Sequence, residues 1–141
     1  MDIPSAGLDR NEIESTIRES IRSTVEKSTF LHSKVDGWIA KIMENCLKRL
    51  AQAAKQYKYV VSCQIMQNSG KSERDSLHTH TTHLFSNKEL LTTWHIFPIS
   101  QGAGACVTST YSWDARTDDY MTIDWQNDHI LCIVSVYWLA V

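Results

Sequence analysis

Tyr57-Lys58-Tyr59-Val60-Val61-Ser62-Cys63-Gln64-Ile65-Met66-Gln67 is where the apolar period of this chain changes from helical to extended. Tyr59, Val61, Cys63 and Ile65 fall on one face of an extended segment, and Lys58, Ser62 and Gln64 on the other, which predicts a strand over residues 57 to 67. Upstream, Ile13, Ile17, Ile21 and Val25 recur every four residues behind Asp9 and Glu12, which have capping-box spacing. They predict a helix with one narrow buried stripe. A second helix is expected to open at Ser33, with Asp36 three residues on, and to bury Val35, Trp38, Ile39, Ile42, Met43, Cys46, Leu47 and Leu50. Gly37 in its first turns costs about 1 kcal/mol relative to Ala, which is tolerable near a helix end.

Downstream, residues 105–113, 120–126 and 130–139 are rich in Val, Ile, Thr, Tyr and Trp and predict three more strands, with Gln126, Asn127 and Asp128 as a tight hairpin turn. Two helices followed by four strands predict an α+β fold, with both N-terminal helices packed on one face of a four-stranded antiparallel sheet. In the last strand Ile130, Cys132, Val134 and Val136 point one way and Leu131, Ile133, Tyr137 and Leu139 the other, so both faces are apolar. One small helical layer covers one face. The other is expected to be buried against a second copy of the chain, giving a homodimer.

A chain of 141 residues suits a single domain over 1–141, and 43% hydrophobic residues with five Trp are enough for a core. The net charge of -2 argues against a general binder of phosphate backbones. Residues 102–141 carry one cation, Arg116, against Asp114, Asp118, Asp119, Asp124 and Asp128. The Trp-rich half is therefore acidic, which also argues against base stacking on a basic groove. Cys46, Cys63, Cys106 and Cys132 are widely spread without a CxxC pair, and the polar N-terminus has no secretory pattern, so a reduced, cytoplasmic protein is expected. The longest uncharged apolar run, residues 130–141, is short of the roughly 20 residues of a membrane-spanning helix and reads as a buried strand.

Phe30-Leu31-His32-Ser33-Lys34-Val35-Asp36-Gly37-Trp38, the stretch 57–67, Tyr111-Ser112-Trp113-Asp114 and Leu131-Cys132-Ile133-Val134-Ser135-Val136 together resemble the Tctex-type light chains of dynein, in that family's order. The resemblance implies a non-catalytic, cofactor-free homodimer that exchanges its second strand between protomers. It also implies binding of the dynein intermediate chain as an added strand, with main-chain hydrogen bonds giving affinity and side-chain pockets selectivity. Two intermediate chains held by one dimer would be bound bivalently, and cargo proteins linked to microtubule transport. Mapped here, the exchanged strand is 105–113, with Thr108, Ser109, Thr110 and Tyr111 as intermediate-chain contacts and Val107, Trp113, Val134 and Val136 at the dimer interface. The implied location is cytoplasmic and cytoskeletal, on a cytoplasmic or axonemal dynein. A motor-independent dimeric adaptor of the same fold is the alternative.

Residues 71–101 lie outside the resemblance. Family members commonly have Leu-His-Thr leading into the exchanged strand, whereas this chain has Ala105-Cys106-Val107 there and Leu77-His78-Thr79 inside the extra segment. Gly70-Lys71-Ser72 can be encoded by a splice-donor-like GGUAAGU, and residues 97–100 allow pyrimidine-rich codons, so the segment reads as a retained intron or splice variant. If it is instead a genuine loop, Ser86 and Glu89 ahead of Leu90 and Leu91 would cap a short helix.

Three other chemistries are weaker. His78, His80 and His83, with His95 or Cys106, have spacings that can ligate zinc or copper, but on a polar loop they lack a second, separated ligand pair held by the fold, and no metal site is assigned. A Cys106 and His129 nucleophile pair would need an oxyanion pocket that nothing in the sequence indicates. The acidic run 114–119 lacks the ligand spacing and central Gly of a calcium loop. Cys63 and Cys132 read as core residues.

Overall fold

The computed structural model describes residues 8–68, 78–83, 90–98 and 104–141. In chain order these form α1 (Arg10–Val25), a 3-10 turn (His32–Lys34), α2 (Val35–Ala53), β1 (Tyr57–Gln67), β2 (His78–His83), β3 (Leu90–Pro98), β4 (Gly104–Ser112), β5 (Asp119–Gln126) and β6 (Ile130–Ala140). All pairings are antiparallel, in two three-stranded sheets of order β1-β6-β5 and β2-β3-β4.

Asp9 caps α1, its carboxylate accepting from the Asn11 amide, and the four-residue stripe of Ile13, Ile17, Ile21 and Val25 is fully buried. Ser33 does not cap α2. It lies within the 3-10 turn, closed by the Lys34 amide donating to the Leu31 carbonyl at 2.9 Å, and the helix proper begins at Val35 without a side-chain cap. Its buried face is also narrower than its apolar pattern suggests: Ile42, Cys46 and Leu50 are buried, Val35, Trp38, Ile39 and Met43 half-buried, and Leu47 is 40% exposed. A Cβ on Gly37 would meet nothing within 4 Å, so this glycine reflects tolerance rather than close packing.

The core lies between the helices and one face of the β1-β6-β5 sheet, where Ile130, Cys132, Val134, Val136 and Trp138 of β6 meet the helical stripes, Met121 and Ile123. Each fully buried Ile or Val contributes about 1.5–3 kcal/mol. The buried Ser20 hydroxyl donates to the Thr16 carbonyl at 2.8 Å and so carries no unmet polar group. Arg10 clasps the helix to the sheet through an ion pair with Asp119, with its guanidinium carbon 5.7 Å from the Trp138 ring centre. Asn127 holds the β5–β6 turn, its Oδ1 accepting from the His129 and Ile130 amides at 2.8 and 2.7 Å. Among the described residues no helix is long and apolar enough to cross a membrane.

The expected single four-stranded sheet is not what forms. All four expected strands are present within a residue or so of their expected limits, but β4 leaves the other three and pairs with β3, which lies within the extra segment. β3 and β4 are joined by residues 99–103 alone, so their pairing closes a short loop at little entropic cost. Leu90 and Leu91 belong to this strand rather than to a helix, and residues 84–89, where that helix would start, lie outside the described residues. His78, His80 and His83 lie on β2 rather than in a loop.

The second face of β6 is covered within the one chain. Leu131, Ile133 and Ser135 are 4%, 2% and 4% exposed, while Tyr137 is half-buried. The two-sided apolar strand therefore does not by itself call for another copy, because its own chain supplies a second layer.

Candidate functional site

β4 is an edge strand. Among the described residues it pairs with β3, from Leu90 opposite Ser112 to Pro98 opposite Gly104, and stands last in the sheet order β2-β3-β4. Its sequence, Gly-Ala-Cys-Val-Thr-Ser-Thr-Tyr-Ser, contains neither a charge nor a proline. Lysines, prolines and inward-pointing charges are the usual devices that stop an edge from pairing, so β4 is unprotected. β5 and β1, the outer strands of the helix-bearing sheet among the described residues, carry Asp119 and Asp124, and Lys58, respectively.

The partner-contact residues expected from the sequence fall in register along this strand: Thr108 opposite Trp94, Ser109 opposite Thr93, Thr110 opposite Thr92 and Tyr111 opposite Leu91. Ser109 and Tyr111 also face the other sheet. The Ser109 and Tyr137 hydroxyls are 2.6 Å apart. Tyr111 lies 3.9 Å from Trp113, 5.6 Å from Tyr120 and 6.3 Å from Tyr137, ring centre to ring centre. Tyr120 and Tyr137 are direct cross-strand partners whose rings stack at 5.8 Å, and Trp113 stands 6.3 and 6.2 Å from them. These four rings join β4 and its C-terminal extension to β5 and β6, and such pairs contribute about 0.5–1.5 kcal/mol each beyond the area they bury.

The Trp113 indole nitrogen within this cluster is buried and has no hydrogen-bond partner among the described residues. A buried donor left unmet costs about 1–3 kcal/mol. Thr110, by contrast, is exposed.

The residues expected at a dimer interface do not share one surface. Val134 and Val136 are fully buried beneath the helices, whereas Trp113 packs on the opposite side of the sheet over Tyr120 and Tyr137. Val107 is a β4 residue opposite His95. Strand alternation is the cause: Val134 and Val136 are even positions of β6, and the residue that meets β4 is the odd one beside them, Tyr137. The sequence reading places Tyr137 on the second face of its strand but gives neither Tyr120 nor Tyr137 a role at the site, although counting outward from the turn at Asn127 pairs Gln126 with Leu131 and hence Tyr120 with Tyr137.

Elsewhere, titratable groups have structural roles. Asp114 accepts from the Arg116 guanidinium at 3.0 and 2.9 Å and from its amide at 3.0 Å, and this pairing holds its carboxyl down to about 2. Asp118 accepts from the Asp114 amide at 3.1 Å and the Ala140 amide at 2.9 Å, so the acidic run stitches its own turn to the end of β6. The Cys63 and Cys132 sulfurs are 4.0 Å apart across β1 and β6. Contact with Cys63 and burial push the Cys132 thiol well up, and burial raises Cys46 as well, opposite to what a nucleophile needs. Cys106 lies on β4 opposite Ile96, and the exposed His129 in the β5–β6 turn. Among the described residues no group of three or more His, Cys, Asp or Glu is arranged to hold a metal ion.

An unprotected edge strand joined by aromatic rings to a helix-covered sheet is an arrangement suited to pairing with another chain. The chain is 32% identical to a Drosophila melanogaster protein, "Dynein light chain Tctex-type", over 131 residues, covering 93% of this chain and 89% of the relative. It is 24% identical over 135 residues to the human "Dynein light chain Tctex-type 3", with 96% and 89% covered. A Dictyostelium discoideum "Dynein light chain Tctex-type" is 24% identical over 127 residues, with 89% and 86% covered. The profile of the Tctex-1 family matches residues 7–139, and the chain belongs to that family.

Proposed function

We propose that this protein is a non-catalytic light chain of a dynein motor, located in the cytoplasm with that motor. In this reading it is a homodimer that exchanges β4 between protomers, holds the dynein intermediate chain as a strand added at β4, and links cargo to microtubule-based transport. The observation that carries the reading is β4 itself: an uncharged strand at the end of the described β2-β3-β4 sheet, in a chain of the Tctex-1 family. Main-chain pairing supplies affinity there, and Thr108, Ser109, Thr110 and Tyr111 supply selectivity. Residues 71–101 are an insert within a single family domain spanning 1–141. Sequencing of transcripts separates a retained intron, absent from some messages, from a genuine insert present in all.

The test is to titrate an N-terminal segment of a dynein intermediate chain into the full-length protein while measuring molar mass. Saturable binding that Ser109→Pro or Thr110→Pro abolishes supports the light-chain reading. A stable dimer that ignores the segment at every concentration replaces it with a motor-independent adaptor.

A further inference from the structure

His78, His80 and His83 stand close together in the chain, and all three lie on β2. An alternating strand sorts them by face. Residues directly opposite one another in an antiparallel ladder share a face, and so do residues two apart along one strand. Thr110 of β4 stands opposite Thr92 of β3, which in turn stands opposite Thr82 of β2. His80 and His78 lie two and four residues before Thr82 and share its face. His83 falls on the other face, in the row of Leu91 and Tyr111, and His95 joins that face in the row of Thr79 and Val107.

The side chains of β4 tell which face is the outer one. Ser109 and Tyr111 meet Tyr137 and Tyr120 of the helix-bearing sheet, whereas Thr110 and Ser112 are exposed. The face of Thr110 is therefore the one away from the helix-bearing sheet. His78 and His80 stand together on it, at an end of the described sheet order β2-β3-β4.

We propose that His78 and His80 chelate a late first-row divalent metal ion between them, copper(II) most tightly and zinc(II) less so, with water completing the coordination. On a strand, residues i and i+2 are roughly 6.6 Å apart. Two imidazole nitrogens can close that separation on one ion at about 2.0–2.1 Å each. Neutral imidazole suits copper and zinc, and copper(II) stands above zinc(II) in the order of divalent affinities. β2, β3 and β4 contain no Asp, Glu, Lys or Arg, so they supply neither the carboxylates that favour magnesium and calcium nor a cation that would repel an ion. Pairing with β3 along the whole of β2, from His78 opposite Ile96 to His83 opposite Leu91, keeps the two histidines on one face before any metal arrives. A flexible loop would instead have to be ordered at the moment of binding.

Two protein ligands make an open, exchangeable site rather than a closed structural centre. Cys106 shares the face and the row of His78, but Ile96 lies between them. Two strand spacings put the pair roughly 9.5 Å apart, too wide for Cys106 to join the chelate. The site makes no demand on the pairing of β4 and is independent of the light-chain reading.

The experiment is calorimetric titration of copper(II) alone, in a buffer that does not bind it, into the full chain and into His78→Ala, His80→Ala and His83→Ala. The full chain is expected to take up one ion per molecule. His78→Ala and His80→Ala should each weaken uptake by about tenfold or more, because the remaining imidazole loses a neighbour held at high effective concentration. His83→Ala should leave uptake within about twofold, since His83 is on the other face. A three-histidine site on a loop would lose as much from His83→Ala as from the other two, and that result overturns the proposal. So does the absence of saturable uptake, or uptake that survives both His78→Ala and His80→Ala, or magnesium binding as tightly as copper. Electron paramagnetic resonance of the copper-loaded, unaltered chain needs no substitution and so guards against a misfolded variant. Coupling to two imidazole nitrogens is expected, and coupling to one, or to more than two, overturns the pair.

Discussion

Removing the Tyr137 hydroxyl is the sharpest probe of how β4 is seated on the helix-bearing sheet. The hydroxyls of Tyr137 and Ser109 are 2.6 Å apart, and both residues are half-buried. Phe at 137 keeps a ring beside Tyr120, Tyr111 and Trp113, so the aromatic packing is left in place. What is lost is one hydrogen bond, whose net value is about 0.5–1.5 kcal/mol. Partial exposure lets water reach the orphaned serine, which places the expected loss near the middle of that range, about 1 kcal/mol. Ser109→Ala removes the same bond from the other side. The two single variants should each cost about 1 kcal/mol and the double variant little more than either, a coupling of about 1 kcal/mol. For a chain of this size that is a fall in Tm of about 3 °C. The assay is urea unfolding followed by Trp fluorescence at one fixed chain concentration, since self-association would make midpoints concentration-dependent. If the single costs simply add in the double variant to within about 0.3 kcal/mol, Ser109 and Tyr137 do not touch and the placement of β4 is wrong.

Gly37→Ala should stabilise the protein by about 0.5 kcal/mol, because the added methyl meets open space and helical backbone entropy falls; thermal unfolding reads the gain, and a lower Tm would mean that the site is packed. Arg116→Ala should let the Asp114 carboxyl titrate back from about 2 toward its ordinary 3.8, seen by NMR. Because the folded value is depressed, the stability from this pair is present above 3.8 and lost as pH falls through about 2, and the variant should lack that stretch of pH dependence. Cys46 and Cys132 should stay unmodified by an aromatic disulfide reagent at mildly alkaline pH until denaturant is added; fast labelling of either in the folded protein would contradict their burial and raised thiols.

The helices and four of the strands are legible in the sequence because their signals are local. Ile13, Ile17, Ile21 and Val25 mark one stripe whatever they pack against, and the alternation in residues 57–67 marks a strand before its neighbour is known. The start of α2 was misplaced by two residues because Ser33 and Asp36 imitate a cap while the chain closes a 3-10 turn there. The strands inside the extra segment were missed for a different cause. His-Thr-His-Thr-Thr-His has no apolar alternation to detect, and its pairing partner is defined by position in space rather than by composition.

The candidate site divides along the same line. β4 could be located from Val, Thr and Tyr content, and its uncharged edge could be read directly. Its neighbour could not, because any extended segment offers the same row of N–H and C=O groups, and the choice among β3, β5 and a second copy depends on which comes within reach. For the same cause the apolar second face of β6 was evident in Leu131 and Ile133, while what covers it was open until β4 brought Tyr111 and Trp113 onto Tyr120 and Tyr137. Periodicity along a chain states which residues must be hidden; the cover itself is settled by long-range packing, where the entropy of loop closure and the area each contact buries are weighed against one another.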